Sequence, residues 1–334
     1  AFAAAAALFF RAFNFISALI SLILPNYAVS LAHPIRATRY HGTMTGSSPD
    51  QPSRLTRRNF LIGTGATAAG FALYAGEIAR HEIDIVHRDI PIAHLPSPFH
   101  AYRIVQLSDI HLDEFTEPYF LERIVRHVNA IAPDLVLLTG DFVTHGAFSF
   151  IAARSAAYRC AEILSTLTAP LRYAVLGNHD VDVSAPLVIA ALSSHGTPVL
   201  VNQNVPIDRN GDRLWICGVD DPSTRYPNLD RAIPPTPGAP VILMAHEPDY
   251  ADTVRHHPRG PLVDLMLSGH SHGGQIRLPF VGALVLPPMG QKYVQGHFQF
   301  DQMQLYVNRG IGTVGLPFLL HCPPALHVLT LQPA

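Results

Sequence analysis

The sequence predicts an α/β protein whose parallel strands carry polar side chains at their carboxyl ends. Two short apolar runs, at 102–107 and 134–138, indicate buried strands. Between them, residues 117–131 repeat apolar side chains at helical spacing, so the order is strand, helix, strand. Strands that alternate with helices form parallel βαβ units, and functional groups gather at the carboxyl ends of such strands.

The alternation continues to about residue 195 and then gives way to shorter strands. The next elements are a helix, a strand and a helix, predicted within 148–167, 171–176 and 184–195. The shorter strands that follow are predicted around 198–201, 213–219, 240–245 and 263–267. C-terminal hairpins that close a second sheet are predicted at 284–286, 293–299, 303–307 and 325–331.

The composition indicates a folded protein with a large core. The chain has 334 residues, of which 48% are hydrophobic and 14% charged, so core size is not limiting. A formal net charge of -2 gives no electrostatic basis for nucleic-acid binding, which we therefore do not expect. Cys160, Cys217 and Cys322 are widely spaced and form no CxxC pair, which predicts neither a disulfide framework nor a zinc-thiolate site.

The front of the chain has two interpretations. Residues 2–24 are mostly apolar and long enough to span a bilayer as a transmembrane helix. Alternatively, residues 1–43 are translated from upstream of the true start codon. Met44 stands shortly before a better targeting signal and favours this second interpretation.

That signal lies within residues 44–80 and resembles a twin-arginine (Tat) export signal or membrane anchor. Thr56-Arg57-Arg58-Asn59-Phe60-Leu61 opens a moderately apolar run rich in Gly and Ala, at 60–76. The alternative is a basic flank on an ordinary helix or a Sec signal. Ala66-Thr67-Ala68 has the form of a cleavage site but lies inside the apolar run, so the segment is either cleaved or kept as an anchor. We expect Tat export to the periplasm or the outer face of the cell membrane, and membrane association.

A linker is predicted over 81–100, before a catalytic domain over 101–334. Pro91, Pro96 and Pro98 favour an extended connection over a helix in this stretch.

Five segments place metal-type ligands directly after an apolar run. Their polar residues are Asp109 and His111, Asp141, Asn178 and His179, His246, and His270 and His272. Carboxylate and imidazole together suit first-row transition metals such as manganese, iron or zinc. Asp141 is a lone carboxylate that could bridge two ions about 3.5–4 Å apart. Asn178 offers a neutral oxygen, which would leave His179 free as a proton donor.

Each segment alone also has an ordinary structural explanation. Asp109 could cap a helix, and Asp141 could belong to a turn. His246 could be a loop residue, and His-x-His a surface loop. Gly177-Asn178-His179-Asp180 could be a simple turn. Together these explanations are weak, because all five segments follow apolar runs and their chemistry is complementary.

Taken in order, the motifs resemble those of the calcineurin-like metallophosphoesterase superfamily, over roughly residues 100–334. They are Asp109-x-His111, Gly140-Asp141, Gly177-Asn178-His179-Asp180, His246 and Gly269-His270-x-His272. The stretches 273–279 and 306–312 are similar to a branch of bacterial exported phosphoesterases. That branch usually has an Arg-Pro-Glu-like element where this chain has Cys322-Pro323-Pro324-Ala325.

The resemblance implies a four-layer α/β fold, with two mixed sheets flanked by helices, and a centre of two divalent or trivalent ions of manganese, iron or zinc. It assigns the first ion to Asp109, His111 and His272. It assigns the second to Asn178, His246 and His270, with Asp141 bridging. His179 would donate a proton to the leaving oxygen.

The expected function is dinuclear metal-dependent phosphoester hydrolysis, most simply of a phosphodiester. The resemblance implies in-line attack on phosphorus by a metal-bridging hydroxide, with His179 as general acid. An alternative substrate is the pyrophosphate bond of a nucleotide-linked lipid precursor such as UDP-2,3-diacylglucosamine. For this substrate the apolar stretches 278–281 and 284–287 are either an entrance or core strands. A different class of protein, a non-catalytic metal-binding envelope component, is also open. Arg277, Lys292 and Arg309 are phosphate contacts or surface charges.

Overall fold

The computed structural model describes residues 56–112, 115–144 and 150–334. The predicted segment 1–43 and the first part of the predicted signal, 44–55, lie outside the described residues. The chain divides into two units, and the second begins at Leu73. In the first unit, the helix Arg57–Leu73 has no buried side chain. No helix in the described ranges combines the length and the apolar character needed to cross a bilayer.

The second unit contains the strands and the remaining helices. The strands are β1 (Asp84–Ile92), β2 (Arg103–Leu107), β3 (Leu135–Thr139), β4 (Leu171–Val175), β5 (Gln203–Arg209), β6 (Asp212–Gly218), β7 (Val241–Met244), β8 (Leu265–Ser268), β9 (Arg277–Leu278), β10 (Gly282–Ala283), β11 (Gly296–Gln299), β12 (Gln304–Val307) and β13 (Ala325–Pro333). The α-helices are Pro118–Ile131, Phe150–Ser165, Asn178–Ser194, Leu229–Ala232 and Ala251–His256. A short π-helical turn, Tyr74–Ile78, opens the unit.

Two mixed sheets form the centre of this unit. The first has the order β1-β13-β2-β3-β4, in which only β13 and β2 are antiparallel. The second has the order β11-β12-β8-β7-β6-β5, with β12, β8, β7 and β6 parallel and the two edge strands antiparallel. Strands β9 and β10 make a separate small hairpin.

The strands alternate their apolar side chains between two layers, as the period of two requires. In β2, Ile104 packs with residues of the second sheet, while Val105 packs under the helices that cover the first sheet. In β7, Ile242 faces the first sheet and Leu243 faces the helices of the opposite side. The result is helix, sheet, sheet, helix, and the predicted α/β arrangement of two mixed sheets flanked by helices is confirmed.

Two predicted elements need correction. The stretch 81–100, expected to be a linker, contains β1, which pairs in parallel with β13 along its whole length. Pro91 is compatible with β1 because this strand is at the edge of the sheet, where one face of the backbone needs no partner. A strand predicted at 284–286 is replaced by the hairpin of β9 and β10, which lies earlier in the chain.

The helix predicted over 184–195 begins earlier, at Asn178. Ser184 has a non-helical backbone and Pro186 follows it, so the helix contains a break. The turn before the break carries the residues that follow Gly177. This extra turn places Asn178, His179 and Asp180 on a helix N-terminus, whereas the sequence suggested a turn.

Candidate metal centre

The predicted site segments all follow the carboxyl ends of strands in the two sheets. Strands β2, β3 and β4 of the first sheet lead to Asp109, Asp141 and Asn178. In the second sheet, β7 and β8 lead to His246 and His270. A hydrogen bond of 3.0 Å runs from Nε2 of Gln106 in β2 to the carbonyl of Ser268 in β8. It connects the carboxyl ends of a strand from each sheet. The segments of both sheets therefore meet in one place.

Most of the ligand-type residues have a left-handed backbone. Their φ angles lie between 48° and 70°, and the residues are Asp109, His111, Asp141, His270 and His272. Such angles are uncommon outside glycine and concentrate at functional sites. The loops turn sharply immediately after each strand, and their side chains point back toward one another.

Three groups of side chains bring their possible ligand atoms within 4.8 Å of one another. The groups are Asp109, His111 and His272; His111, Asp141 and His179; and Asp141, His246 and His270. Because His111 and Asp141 each belong to two groups, the clusters are continuous.

The first cluster has two imidazoles facing each other. Nε2 of His111 lies 3.0 Å from Nε2 of His272, and this second nitrogen is 3.5 Å from Oδ1 of Asp109. All three side chains are buried. Two ring nitrogens and a carboxylate oxygen that point at one another are the donor set of a transition-metal site.

Asp141 lies between this cluster and the second one. Its Oδ2 is 3.0 Å from Nε2 of His246 and 3.7 Å from Nε2 of His111. Oδ1 of Asn178 is buried and has no hydrogen-bond partner among the described residues. Buried polar atoms without partners are rare and indicate an unseen ligand. These donors fit a divalent metal centre.

Backbone carbonyls orient three of the histidine rings. Nδ1 of His246 donates to the carbonyl of Thr139 (2.6 Å), and Nδ1 of His272 to that of Gly312 (3.3 Å). His270 instead donates from Nε2 to the carbonyl of Pro288 (2.8 Å). Because a carbonyl can only accept, the bonded ring nitrogen carries the proton, and in a neutral ring the opposite nitrogen keeps its lone pair for the cluster.

Burial controls the protonation of these imidazoles. It lowers the pKa of His111 well below its ordinary value, lowers that of His272, and lowers that of His270 to about 4. Neutral rings are the form that binds a metal ion. For His246 burial acts in the same direction, but the nearby carboxylate of Asp141 overcomes it and raises the pKa of His246.

His179 stands apart from the buried ligands. Its side chain is half-buried, and its ring packs edge-on against His111 at a centroid distance of 4.9 Å. Its backbone N–H donates to Oδ1 of Asp141 (2.9 Å), which fixes the residue beside the clusters. The ring therefore borders the centre and remains open to solvent on one side.

A family model for calcineurin-like phosphoesterases matches residues 102–274, a range that contains all of these side chains. The chain belongs to the calcineurin-like phosphoesterase family. As such it is a phosphoric ester hydrolase, and the cluster of His and Asp side chains indicates a divalent metal centre.

Three relatives of this calcineurin-like phosphoesterase have similar sequences. The uncharacterized metallophosphoesterase YkuE of Bacillus subtilis (strain 168) is 32% identical over 291 residues, which cover 84% of this chain and 98% of that protein. The phosphodiesterase YaeI of Escherichia coli (strain K12) is 31% identical over 295 residues, covering 83% and 99%. The UDP-2,3-diacylglucosamine pyrophosphatase LpxG of Chlamydia muridarum (strain MoPn / Nigg) is 30% identical over 285 residues, covering 65% and 81%.

The structure separates the predicted site residues of this phosphoesterase into two sets. It brings six of the seven predicted ligands together with His179, and Asn178 is the residue before His179, while their individual roles remain predictions. Three basic residues have partners elsewhere: Arg277 donates to the carbonyl of Gly273 (2.7 Å), Lys292 pairs with Asp252 (2.7 Å), and Arg309 pairs with Asp84 (2.5 Å).

Sequence reasoning left Asp180 of this phosphoesterase without a role, and the structure supplies one. Its carboxylate is buried and accepts four backbone N–H groups. The donors are Asp141 (2.8 Å), Phe142 (2.8 Å), Val143 (3.2 Å) and Gly177 (3.0 Å). Asp180 thereby ties the loop that carries Asp141 to the turn that carries Asn178. The only sequence signal for it was its place in the Gly-Asn-His-Asp motif.

Proposed function

We propose that the chain is a dinuclear metal-dependent phosphodiesterase. The observation that supports this most strongly is the shared position of Asp141, between a cluster with His111 and one with His246. The partnerless side-chain oxygen of Asn178 supports a second cation beside the first. When bound, the two metal ions supply Lewis acidity for a phosphoryl oxygen and lower the pKa of the water that attacks phosphorus.

The chain divides the ligand tasks between the two sheets. In this proposal Asp109, His111 and His272 hold one ion. The other is held by Asn178, His246 and His270, and the carboxylate of Asp141 contacts both. The ions are divalent or trivalent, and manganese, iron and zinc suit these donors.

His179 has the position of a proton donor. Its backbone is held by Asp141, and its ring is open to solvent next to His111. A protonated imidazole there gives its proton to the leaving oxygen of the ester. General-acid help of this kind is typically worth about 10²–10⁴-fold in rate.

Hydrolysis of bis-p-nitrophenyl phosphate with added manganese tests the proposal. His179→Ala should lower turnover about 10²–10⁴-fold and leave the bound metal largely intact. Asp141→Asn should instead lose metal, because it removes the charge that both clusters share. The metal content of each purified variant is measured alongside the rate.

The exposed His256 provides a matched control, and His256→Ala should change neither quantity. Equal metal loss in the His179 and Asp141 variants would contradict the division of roles. Metal binding without any turnover of the wild-type chain would favour the alternative of a non-catalytic envelope protein.

A second candidate substrate is the pyrophosphate bond of a nucleotide-linked lipid precursor. Two observations favour it: the similarity to a relative named as a UDP-2,3-diacylglucosamine pyrophosphatase, and the exposed apolar side chains after the His-x-His motif. Incubation with UDP-2,3-diacylglucosamine should then release UMP faster than p-nitrophenol is released from the synthetic diester. Absence of UMP would leave the simple phosphodiester as the substrate class.

We also propose Tat export to the outer face of the membrane or the periplasm. The support is the sequence Thr56-Arg57-Arg58-Asn59-Phe60-Leu61, and the apolar run that it opens. Replacing Arg57 and Arg58 with Lys should leave the protein in the cytoplasm. Unchanged export of this variant would count against a Tat route.

A further inference from the structure

Residues 275–290 form a loop, and each of its two ends adjoins a proposed ligand histidine. It leaves the turn His272–Gly274, where a Cβ on Gly274 would lie 2.2 Å from Cβ of Ala283. It returns at Pro288, whose carbonyl accepts from Nε2 of His270 (2.8 Å). A surface that contacts this loop therefore lies close to the metal centre.

The middle of this loop is apolar and exposed. No charged residue occurs from 278 to 290. At the tip Phe280 is fully exposed, and Val281 and Val285 are 69% and 75% exposed. Single exposed apolar residues are ordinary, but three large ones within six positions of an uncharged stretch mark an interaction surface.

The tip is held in place by backbone pairing. β9 and β10 pair with Leu278 opposite Gly282, and the N–H of Leu284 donates to the carbonyl of Ile276 (3.1 Å). The N–H of Arg277 donates to the carbonyl of Leu320 (3.0 Å), which attaches the hairpin to the segment before β13. The apolar side chains are thus presented by a fixed hairpin.

The segment before β13 also contacts the start of the second unit. The N–H of Leu319 donates to the carbonyl of Ala75 (3.0 Å), and Leu320 forms a bridge with Ile276. Tyr74 and Ile78, at the start of this unit, are also exposed. Two groups of exposed apolar side chains therefore flank one short segment.

The residues that precede Tyr74 decide which partner is expected. They form the helix Arg57–Leu73, whose apolar side chains Phe60, Leu61, Phe71 and Leu73 are all exposed. A lipid surface can cover Tyr74, Ile78 and the apolar hairpin, which belong to the same unit, and the sequence 60–76 resembles an export signal or membrane anchor. An acyl group of one substrate molecule, in contrast, accounts only for the hairpin.

We propose that Phe280 and Val281 at the hairpin tip, together with Val285 just after β10, insert into the interface of a lipid bilayer. Aromatic and aliphatic side chains on an uncharged loop are typical of those that anchor proteins in the interfacial region of a bilayer. The docked hairpin brings the metal centre, through His270 and His272, to the membrane surface. The proposal is independent of which phosphoester is cleaved, and its test requires no turnover.

An indole placed at the tip reports insertion directly. Phe280→Trp is made in the full chain together with Trp215→Phe, because Trp215 is the single native tryptophan. Vesicles of phosphatidylglycerol and phosphatidylethanolamine should shift its emission to the blue. Lipids brominated in the upper part of the acyl chains should quench it. A chain that sediments with vesicles while the indole is neither shifted nor quenched would overturn the proposal.

Two valines supply the second measurement. Adding Val281→Ser and Val285→Ser to the probe should lower the equilibrium constant for insertion of the tip, taken from the extent of quenching, about tenfold. Tyr158→Ser, which changes a similarly exposed side chain on the helix Phe150–Ser165, should leave it unchanged. Equal quenching with and without the valines would show that Val281 and Val285 are not part of the inserted surface. Thermal melting and hydrolysis of the soluble diester confirm that each variant is folded.

Discussion

At the scale of single residues, the metal centre depends on a position that has no side chain. A Cβ on Gly177 would lie 2.3 Å from Oδ1 of Asp141 and 2.7 Å from Nε2 of His246. The backbone of Gly177 is extended, with φ at -111°, so any residue could adopt it. The reason for glycine here is therefore close packing, and the turn chemistry suggested by the sequence is secondary.

Gly177→Ala should displace Asp141 or His246, because neither buried side chain has room to move away. We expect at least a tenfold loss of diester hydrolysis, with less metal bound per chain, since overpacking of this kind forces neighbouring groups to shift. Gly70→Ala is the matched control, because a Cβ there meets no described atom within 4 Å. Wild-type metal content in the Gly177 variant would show that the loop can adapt.

Asp180 holds the backbone of the loop that carries Asp141. In Asp180→Asn, the amide N–H₂ replaces one acceptor oxygen and faces backbone N–H groups of the Asp141 loop. We expect metal affinity to fall about 10–100-fold, the usual effect of removing a group that orients a metal ligand. Isothermal titration with Mn²⁺ measures it, and the exposed Asp182 provides the control Asp182→Asn. Similar affinities in both variants would reduce Asp180 to a helix cap.

The sequence indicated candidate site residues but not their geometry. Asp109, His111 and Asp141 were identifiable because each follows an apolar run that ends a strand. Their left-handed backbone leaves no pattern in the sequence, since the strain is maintained by contacts from distant segments. Asp180 was missed for a similar reason, because its four donors lie in loops that only the fold brings together.

At the scale of elements, the turn Tyr74–Ile78 and the residues after it are attached to the loop that follows His111. The guanidinium of Arg80 contacts the carbonyl of Phe115 and lies 2.5 Å from Oε1 of Glu117. Nε2 of His81 is 3.2 Å from the other oxygen of Glu117. Residue 80 ends the stretch assigned by sequence to the export signal, and these contacts add a structural task to it.

Arg80→Ala should lower the free energy of unfolding by about 1–3 kcal/mol, because it removes the guanidinium that contacts both Glu117 and the carbonyl of Phe115. Thermal or urea denaturation measures the loss. Arg209→Ala removes an exposed pair with Asp134, at 3.6 Å, and should change stability by less than about 0.5 kcal/mol. Equal effects of the two variants would mean that the Arg80 contacts are no stronger than surface pairs.

Helices and strands with a strong apolar periodicity were predicted from the sequence. Strands that depend mainly on pairing with a neighbouring strand were not. The helix Pro118–Ile131 and the buried strands β2 and β3 follow their apolar patterns closely. β1 and β5 were missed, since each is at an edge of its sheet and mixes exposed with buried positions. Such strands are determined by a neighbour's backbone, which a local window of sequence does not contain.

At the scale of the whole molecule, the two sheets share a second polar contact besides the bond from Gln106 to Ser268. The hydroxyl of Tyr306 in β12 lies 2.7 Å from Nδ1 of His327 in β13. Burial lowers the pKa of His327 to about 3. The ring is therefore neutral in the folded chain across the physiological pH range.

His327 should make stability depend on pH. Between about pH 6.5 and 3 the unfolded chain binds a proton at this ring and the folded chain does not, so stability falls as the pH is lowered through this window. In His327→Gln this component is absent, and the melting temperature should fall less steeply between pH 6.5 and 4. The other histidines are common to both proteins and cancel in the comparison. Parallel curves would contradict the assignment.

The large-scale architecture was only partly accessible from residue patterns. Alternating strands and helices predicted parallel βαβ units, but the count of layers came from the resemblance of the motifs to a family. The second sheet is built from short strands, and its packing against the first depends on side chains such as Ile104 and Ile242, distant in sequence. No local pattern specifies such a pairing.

The position of β13 has a consequence for the synthesis of the chain. β13 lies between β1 and β2, yet it follows every other strand in the sequence. As the polypeptide leaves the ribosome, β1 has no neighbour and β2 has an open edge until the whole second sheet has been translated. An unpaired edge of this kind can pair with another chain. The unfinished first sheet is thus the part of the nascent polypeptide that most needs protection by a chaperone.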